Sequence, residues 1–213
     1  LLGLCIFGAI PADSQGPFQL PWPPLLEDIV AREGAILHGG LIAQCEQAYI
    51  ITAPSGGGKT TTISRLPADW RVLADDACLV WPGREGKFLA SPLPTWSVVL
   101  GRGEPLPAVG RWHIGGVILV AGILFLKKGK QDQVKLLQPL KALPLLYQAI
   151  SEHPRVVTNR ESHRARLFDV ARALAGATAT WQLDAALDGQ FWEQFRPLAS
   201  QRVSRAGGRI AIY

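Results

Sequence analysis

The residues best suited to chemistry form one short run, Ala53–Thr60, with the order Ala-Pro-Ser-Gly-Gly-Gly-Lys-Thr. The run Ala48–Thr52 before it predicts a strand, and the residues from Lys59 to Leu66 predict a short helix. Consecutive glycines let the backbone approach an anion and turn several N–H groups toward it, and the start of a helix adds partial positive charge. Lys59 could reach the β- and γ-phosphates of a nucleotide, and Thr60 could offer its hydroxyl to Mg²⁺. The sequence therefore predicts a P-loop. The residues expected to bind the nucleotide are Ser55, Gly56, Gly57, Gly58, Lys59, Thr60 and Thr61.

An acidic pair, Asp75 and Asp76, interrupts the apolar run Trp70–Trp81 shortly after this loop. Two carboxylates within a strand are costly to bury unless they bind something, and Mg²⁺ beside a phosphate is a suitable partner. A strand end that emerges into solvent could also hold both acids without any function. The pair is thus a candidate for metal binding and acid–base chemistry, with solvation as the alternative.

Length and composition indicate a single domain with a buried core. The chain has 213 residues, of which 48% are hydrophobic, and a net charge of +5. Its basic residues are scattered, without interleaved aromatic residues, so nucleic acid is not an expected partner. Three cysteines without a C-x-x-C spacing argue against zinc and a disulfide framework, and they favour a reduced, cytoplasmic setting. The apolar runs are too short to span a membrane.

Hydrophobic patterning predicts an α/β fold with a mixed sheet, as one domain over 1–213. Residues 1–34 would extend the sheet, 35–130 would form the nucleotide-binding core, and 131–213 would form a helical C-terminal part. The predicted strands are Ala35–Ala43, Gln47–Thr52, Trp70–Trp81, Lys87–Pro92, Gly115–Leu126 and Ala177–Leu183. The first two would form a hairpin through Gln44, Cys45 and Glu46. The predicted helices are Leu25–Arg32, Pro139–His153, Asn159–Ala175 with Gly176 as its stop, and a short last helix after Asp188.

Three motifs resemble those of the catalytic domain of HPr kinase/phosphorylase, a relative of ATP-dependent phosphoenolpyruvate carboxykinase. Leu37–Gly39 is similar to the His-Gly motif of that family, Ser55–Thr60 to its Ser-Gly-x-Gly-Lys-Ser/Thr, and Leu73–Asp76 to its Val/Ile-Ala-Asp-Asp. The short distance from the loop to the acidic pair also matches, since most other P-loop proteins place a full-length helix and further strands between the two. Gly122–Lys127 resembles a segment of the smaller HPr-kinase-like proteins found beside peptide-modification genes.

The resemblance implies a small variant of this fold, with a mixed central sheet and without the N-terminal domain of full-length HPr kinases. It also implies the roles of five residues. Lys59 and the loop amides would hold the β-phosphate, and Thr60 would bind Mg²⁺. One of Asp75 and Asp76 would be the general base on an acceptor hydroxyl, and the other would assist the metal. Asp76 is the expected metal ligand of the two. His38 would lie at the edge of the active site and tune the base, although a buried structural histidine is an equal alternative.

The function implied is a Mg²⁺-dependent kinase that transfers a phosphoryl group to a serine of a protein or peptide, or to a small molecule. The donor could be ATP, GTP or pyrophosphate. The resemblance also implies that the chain can form a homo-oligomer. The alternative is a non-catalytic nucleotide-binding accessory protein of a peptide-modification pathway, because the Arg-Gly-Leu-Gly-Ile run of the family is absent. A carboxykinase-like enzyme is disfavoured, since its additional metal-binding His and Lys residues are missing. A basic residue converging on the γ-phosphate would favour the kinase.

Overall fold

One mixed β-sheet of nine strands organises the part of the chain that the structure describes. The structure is a computed structural model that describes residues 22–93, 116–151 and 161–196. Its strands are β1 (Ala35–His38), β2 (Gly40–Gln44), β3 (Gln47–Thr52), β4 (Arg71–Ala74), β5 (Ala77–Pro82), β6 (Phe88–Pro92), β7 (Ile118–Lys128), β8 (Gln133–Leu137) and β9 (Ala179–Ala185). Its helices are α1 (Trp22–Ala31), α2 (Lys59–Ile63), α3 (Pro139–Ser151), α4 (Glu161–Ala177) and α5 (191–196).

The strand order is β1-β5-β6-β7-β3-β2-β4, and β9 pairs with both β7 and β8. β7 runs parallel to β3 and β9, whereas the other pairs are antiparallel. β7 is 11 residues long, so its first residues pair with β6 and its last residues with β9. Because parallel strands end at the same edge of a sheet, the carboxyl ends of β3, β7 and β9 lie together. The glycine-rich run begins at this edge.

Apolar side chains alternate between the two faces of the sheet and build a core on each. In β3, Ile50 belongs to the core under α1, α3 and α4, and Ile51 belongs to the core on the opposite face, under α2 and α5. In β7, Ile123 and Leu124 divide between the same two cores. Helices on both faces of a mixed sheet confirm the α/β class.

Two strands that the sequence predicts as continuous are divided at a common corner. The predicted strand Ala35–Ala43 is broken at Gly39 into β1 and β2, and Trp70–Trp81 is broken at the acidic pair into β4 and β5. The predicted hairpin between β2 and β3 is confirmed: Cys45 and Glu46 form its two-residue turn with φ angles of 48° and 61°. Positive φ at both turn residues matches the twist of the strands.

The C-terminal part differs from the prediction in two respects. The region expected to be helical after residue 130 also contributes β8 and β9, and the sequence patterning did not predict β8. Gly176 lies inside α4, which ends at Ala177, and does not stop the helix. The predicted cap at Asn159 lies outside the described residues.

At the N-terminal end, residues 22–34 form α1 and a turn, whereas an extension of the sheet was expected over 1–34; the rest of that stretch lies outside the described residues. The predicted helix Leu25–Arg32 is confirmed and begins earlier, at Trp22. No helix among the described residues has the length and apolar character needed to cross a membrane.

Candidate functional site

The candidate site is built on a bent two-stranded ribbon. β1 pairs with β5 and β2 pairs with β4, and both strands of the ribbon turn at the same point. At the corner, the backbone N–H of Gly39 donates to the carbonyl oxygen of Asp76 over 2.8 Å. The corner therefore joins the His-Gly motif to the acidic pair through the backbone.

The side chains of His38 and Asp76 meet across this corner. Nε2 of His38 lies 3.1 Å from Oδ1 of Asp76, and the two side chains are 12% and 36% exposed. The hydroxyl of Thr52, the last residue of β3, donates to the carbonyl oxygen of His38 over 2.7 Å. Because the glycine-rich run follows Thr52 directly, these contacts place His38 and Asp76 beside its start.

The glycine-rich loop, defined here as residues 53–58, has a backbone that requires glycine. Gly56 and Gly58 have φ angles of 72° and 95°, which side chains rarely adopt. A Cβ at Gly57 would lie 2.7 Å from the Cβ of Ala53 and 2.8 Å from the carbonyl oxygen of Pro54. Gly57 instead donates its N–H to that oxygen over 2.9 Å. Such a compact loop brings several backbone amides close together, an arrangement that suits an anion.

Lys59 is held inside the loop. Its side chain is buried, with 7% of the residue exposed, and Nζ donates to the carbonyl oxygen of Ala53 over 2.9 Å. A buried ammonium next to backbone amides favours a ligand with negative charge. The helix that follows has only five residues and is shorter than the predicted helix from Lys59 to Leu66. Its dipole therefore contributes less positive charge at the loop than the sequence predicts.

A second glycine contact fixes α2 on the sheet. Ile63 of α2 packs on Gly40 at the ribbon corner, where its Cδ1 occupies the space that a Cβ would take. The guanidinium of Arg65 then donates to the carbonyl oxygens of Ala186 and Gly189, which follow β9. These contacts tie the end of the loop both to the corner and to the carboxyl edge of the sheet.

Two lysines at the end of β7 complete the surroundings of the loop. Cε of Lys128 lies 3.8 Å from the position of a Cβ at Gly58, and Lys127 lines a cavity beside Ala53 and Pro54. Neither lysine was predicted as a ligand from the sequence. The parallel pairing of β3 and β7 brings them to the loop. In the sequence, their position at the end of an apolar strand was the one feature that could have indicated this.

The acidic pair differs in exposure between its two members. Asp75 is buried, at 6% exposure, whereas the side chain of Asp76 is 36% exposed. Among the described residues, no three or more His, Cys, Asp or Glu side chains form a metal cluster. Mg²⁺ needs fewer protein ligands than that, because it is held by one or two carboxylates together with phosphates and water. The oxygen donors Asp75, Asp76 and Thr60 fit this requirement.

The remaining predicted ligands lie along the loop and the first turn of α2. Ser55 and Gly56 are exposed, Gly57, Gly58 and Thr60 are half-buried, and Thr61 is exposed.

Cys78 lies in the core, where burial raises the pKa of its thiol to about 12, so it is not a nucleophile of the site. Burial and the nearby Cys45 also raise the pKa of Tyr49 to about 12.

The fold and the site together define an α/β protein with a glycine-rich loop at the carboxyl edge of three parallel strands. The chain belongs to the family of SynChlorMet cassette protein ScmC, whose model matches residues 22–199. The expected family was HPr kinase/phosphorylase, and the family shown is ScmC.

Among solved structures, the HPr(Ser) kinase/phosphatase from Coxiella burnetii is similar, with 12% sequence identity and a TM-score of 0.41. That similarity covers 81% of this chain and 99% of the other. None of the curated proteins matches the chain.

Proposed function

We propose that this protein binds a Mg²⁺-nucleotide at the glycine-rich loop and transfers a phosphoryl group to a hydroxyl, either of a serine in a protein or peptide or of a small molecule. The observation that carries the proposal is the hydrogen-bonded pair of His38 and Asp76 beside the start of the loop. A phosphate-binding loop explains nucleotide binding alone, whereas a carboxylate held next to it by an imidazole suits proton removal from an acceptor.

The phosphate end of the nucleotide would lie against the loop. Its amides and the buried Lys59 would contact the β- and γ-phosphates, and Ser55, Thr60 and Thr61 would add hydroxyl donors. Lys128, the last residue of the neighbouring strand β7, supplies a second cation at Gly58. Its position supports the kinase hypothesis, because phosphoryl transfer is accelerated mainly by positioning and by charge neutralisation.

The acidic pair would divide two tasks. Asp76 is exposed enough to meet an acceptor hydroxyl, and His38 orients its carboxylate, so we assign Asp76 as the general base. The buried Asp75, with Thr60, would hold Mg²⁺. The bound Mg²⁺ would neutralise charge on the phosphates. The reverse assignment places Asp76 on the metal. The variants Asp75→Asn and Asp76→Asn distinguish the two assignments, because the variant that lacks the general base should keep nucleotide binding and lose phosphoryl transfer.

The first experiment measures the thermal stability of wild type and Lys59→Ala with Mg²⁺-ATP, Mg²⁺-GTP and Mg²⁺-pyrophosphate. A ligand at a hundred times its Kd stabilises the native state by roughly 2.7 kcal/mol. Wild type and the control Lys130→Ala, an exposed lysine after β7, should be stabilised, and Lys59→Ala should not. If no ligand stabilises wild type, the proposed function is wrong.

The second candidate is a nucleotide-binding accessory protein without turnover. The absence of the Arg-Gly-Leu-Gly-Ile run from the sequence favours it, since that run marks the related kinases. Loss of the γ-phosphate from Mg²⁺-ATP, measured with and without serine-containing peptides, distinguishes the two candidates. Binding that depends on Lys59 without any loss of γ-phosphate would favour the accessory protein.

A further inference from the structure

A cavity of about 180 Å³ lies beside the first residues of the glycine-rich loop, on the face of the sheet that α3 covers. Pro54 of the loop and Phe125 of β7 form part of its wall. Leu145 and Ala149 of α3 form the apolar side, and the two amide side chains are those of Gln148 on α3 and Gln182 on β9. None of these residues was singled out as a ligand by the sequence.

The size of the cavity limits what it can hold. Pockets that enclose a complete drug-sized ligand have volumes of roughly 300–1,000 Å³. A cavity of about 180 Å³ is smaller and can enclose only part of such a ligand. A planar ring system whose remaining atoms extend over the loop fits this requirement.

The wall has the chemistry that recognises a nucleobase. Phe125 and Leu145 supply apolar surface for the faces of a ring, and the amides of Gln148 and Gln182 offer donors and acceptors to its edge. The Nε2 of Gln182 donates to Oδ1 of Asp184 over 2.9 Å, which restricts the orientation of the amide. Lys127 lines the same cavity, where a cation suits the negative charge of an adjoining phosphate.

The cavity and the catalytic corner lie on opposite sides of the strand that enters the loop. β3 has β2, and with it the corner, on one side and β7 on the other. The cavity is built on the β7 and β9 side. The cavity and the corner therefore adjoin the start of the loop from opposite sides of β3.

We propose that this cavity holds the base of a nucleoside triphosphate, so that the donor is a nucleotide and not pyrophosphate. The inference rests on the proposed function, because it requires the phosphates to lie along the loop. It adds the place of the base, which the loop alone leaves open, since the loop contacts only phosphates.

The test compares the binding of Mg²⁺-ATP with that of Mg²⁺-tripolyphosphate, which has the same phosphates without a nucleoside. Two variants obstruct the cavity: Gln148→Trp at its rim and Ala149→Leu in its wall. The matched control is Lys141→Trp, an exposed position of the same helix that does not line the cavity. Thermal unfolding of each variant without ligand reports whether the fold is retained.

We expect each cavity variant to weaken Mg²⁺-ATP binding at least about tenfold and to change tripolyphosphate binding by less than about twofold. Lys59→Ala should weaken both ligands, and Lys141→Trp neither. If folded cavity variants bind both ligands as wild type does, the inference is wrong and the phosphate site is unaffected. If they lose both ligands to the same extent, the inference is also wrong, because the cavity then does not act on the base in particular. If Lys59→Ala still binds both ligands as wild type does, the proposed function itself is wrong.

Discussion

The imidazole Nε2 of His38 lies 3.1 Å from Oδ1 of Asp76, although 38 positions separate the two residues in the chain. The contact exists because two paired strands bend at the same point, with Gly39 bound to the backbone of Asp76. The hydroxyl of Thr52 binds the carbonyl oxygen of His38, so the same corner adjoins the loop. This geometry makes the pair a unit, and removal of either partner is expected to affect the other.

Asp76→Asn is expected to reduce phosphoryl transfer by roughly 10²–10⁴-fold, the usual contribution of general acid–base catalysis. His38→Ala should give a smaller loss, because the imidazole positions the carboxylate and does not itself take the proton. Both variants should keep the thermal stabilisation by Mg²⁺-ATP. The measurement is the loss of γ-phosphate in a single turnover, beside the ligand-induced shift in Tm. A His38→Ala variant that loses nucleotide binding together with transfer would contradict the positioning role.

Gly57→Ala is expected to destabilise the protein by about 1–3 kcal/mol, because the added Cβ would lie within 2.8 Å of both the Cβ of Ala53 and the carbonyl oxygen of Pro54. It should also weaken nucleotide binding, since the loop must open to accept the methyl group. Gly176→Ala is the matched control. A Cβ there meets nothing within 4 Å inside α4, and the change should stabilise the helix by about 1 kcal/mol. Urea unfolding measures both effects, and equal effects of the two substitutions would argue against a tightly closed loop.

Lys128→Ala is expected to weaken Mg²⁺-nucleotide binding by about fivefold at low salt, with a smaller effect at high salt because this exposed charge is screened. Lys130→Ala removes an exposed charge from the following turn and serves as the control. Titration of both variants at two salt concentrations gives the comparison. If the two lysines have the same effect, Lys128 acts only through net charge and does not contact the phosphates.

The burial of Cys78 predicts that the free energy of unfolding depends on pH. Burial raises the pKa of its thiol from 9.0 to about 12, so the folded state holds the proton more tightly than the unfolded state. The stabilisation is complete below about pH 9, the ordinary pKa of this thiol, and it is lost as pH rises toward 12. The free energy of unfolding should therefore fall more steeply above pH 9 in wild type than in Cys78→Ala, by up to about 1.4 kcal/mol per pH unit.

The control for this measurement is Cys45→Ala, since Cys45 is exposed. Tyr49, with a pKa of about 12, contributes to the alkaline decline in wild type and in Cys78→Ala alike, so the difference between the two isolates the thiol of Cys78. Identical slopes in wild type and Cys78→Ala would show that the thiol is not buried as the structure describes.

Local patterns in the sequence determined much of the fold. The strand before the loop, the short helix after it and the long helix α4 were all predicted, and the α/β class is confirmed. Each of these depends on residues a few positions apart, through the period of a strand or helix and the chemistry of glycine and proline. The glycines and Lys59 were assigned to the loop for the same reason.

Only the tertiary structure decided which distant residues meet. The bend that joins His38 to Asp76, the approach of Lys128 to Gly58 and the cavity between β7, β9 and α3 all depend on strand order and on the angle at the corner. β8 was missed because its half-exposed residues carry a weak pattern, and its place in the sheet comes from pairing with β9. Spacing along the chain reports the local conformation, whereas contacts across a sheet are selected by the packing of the whole core.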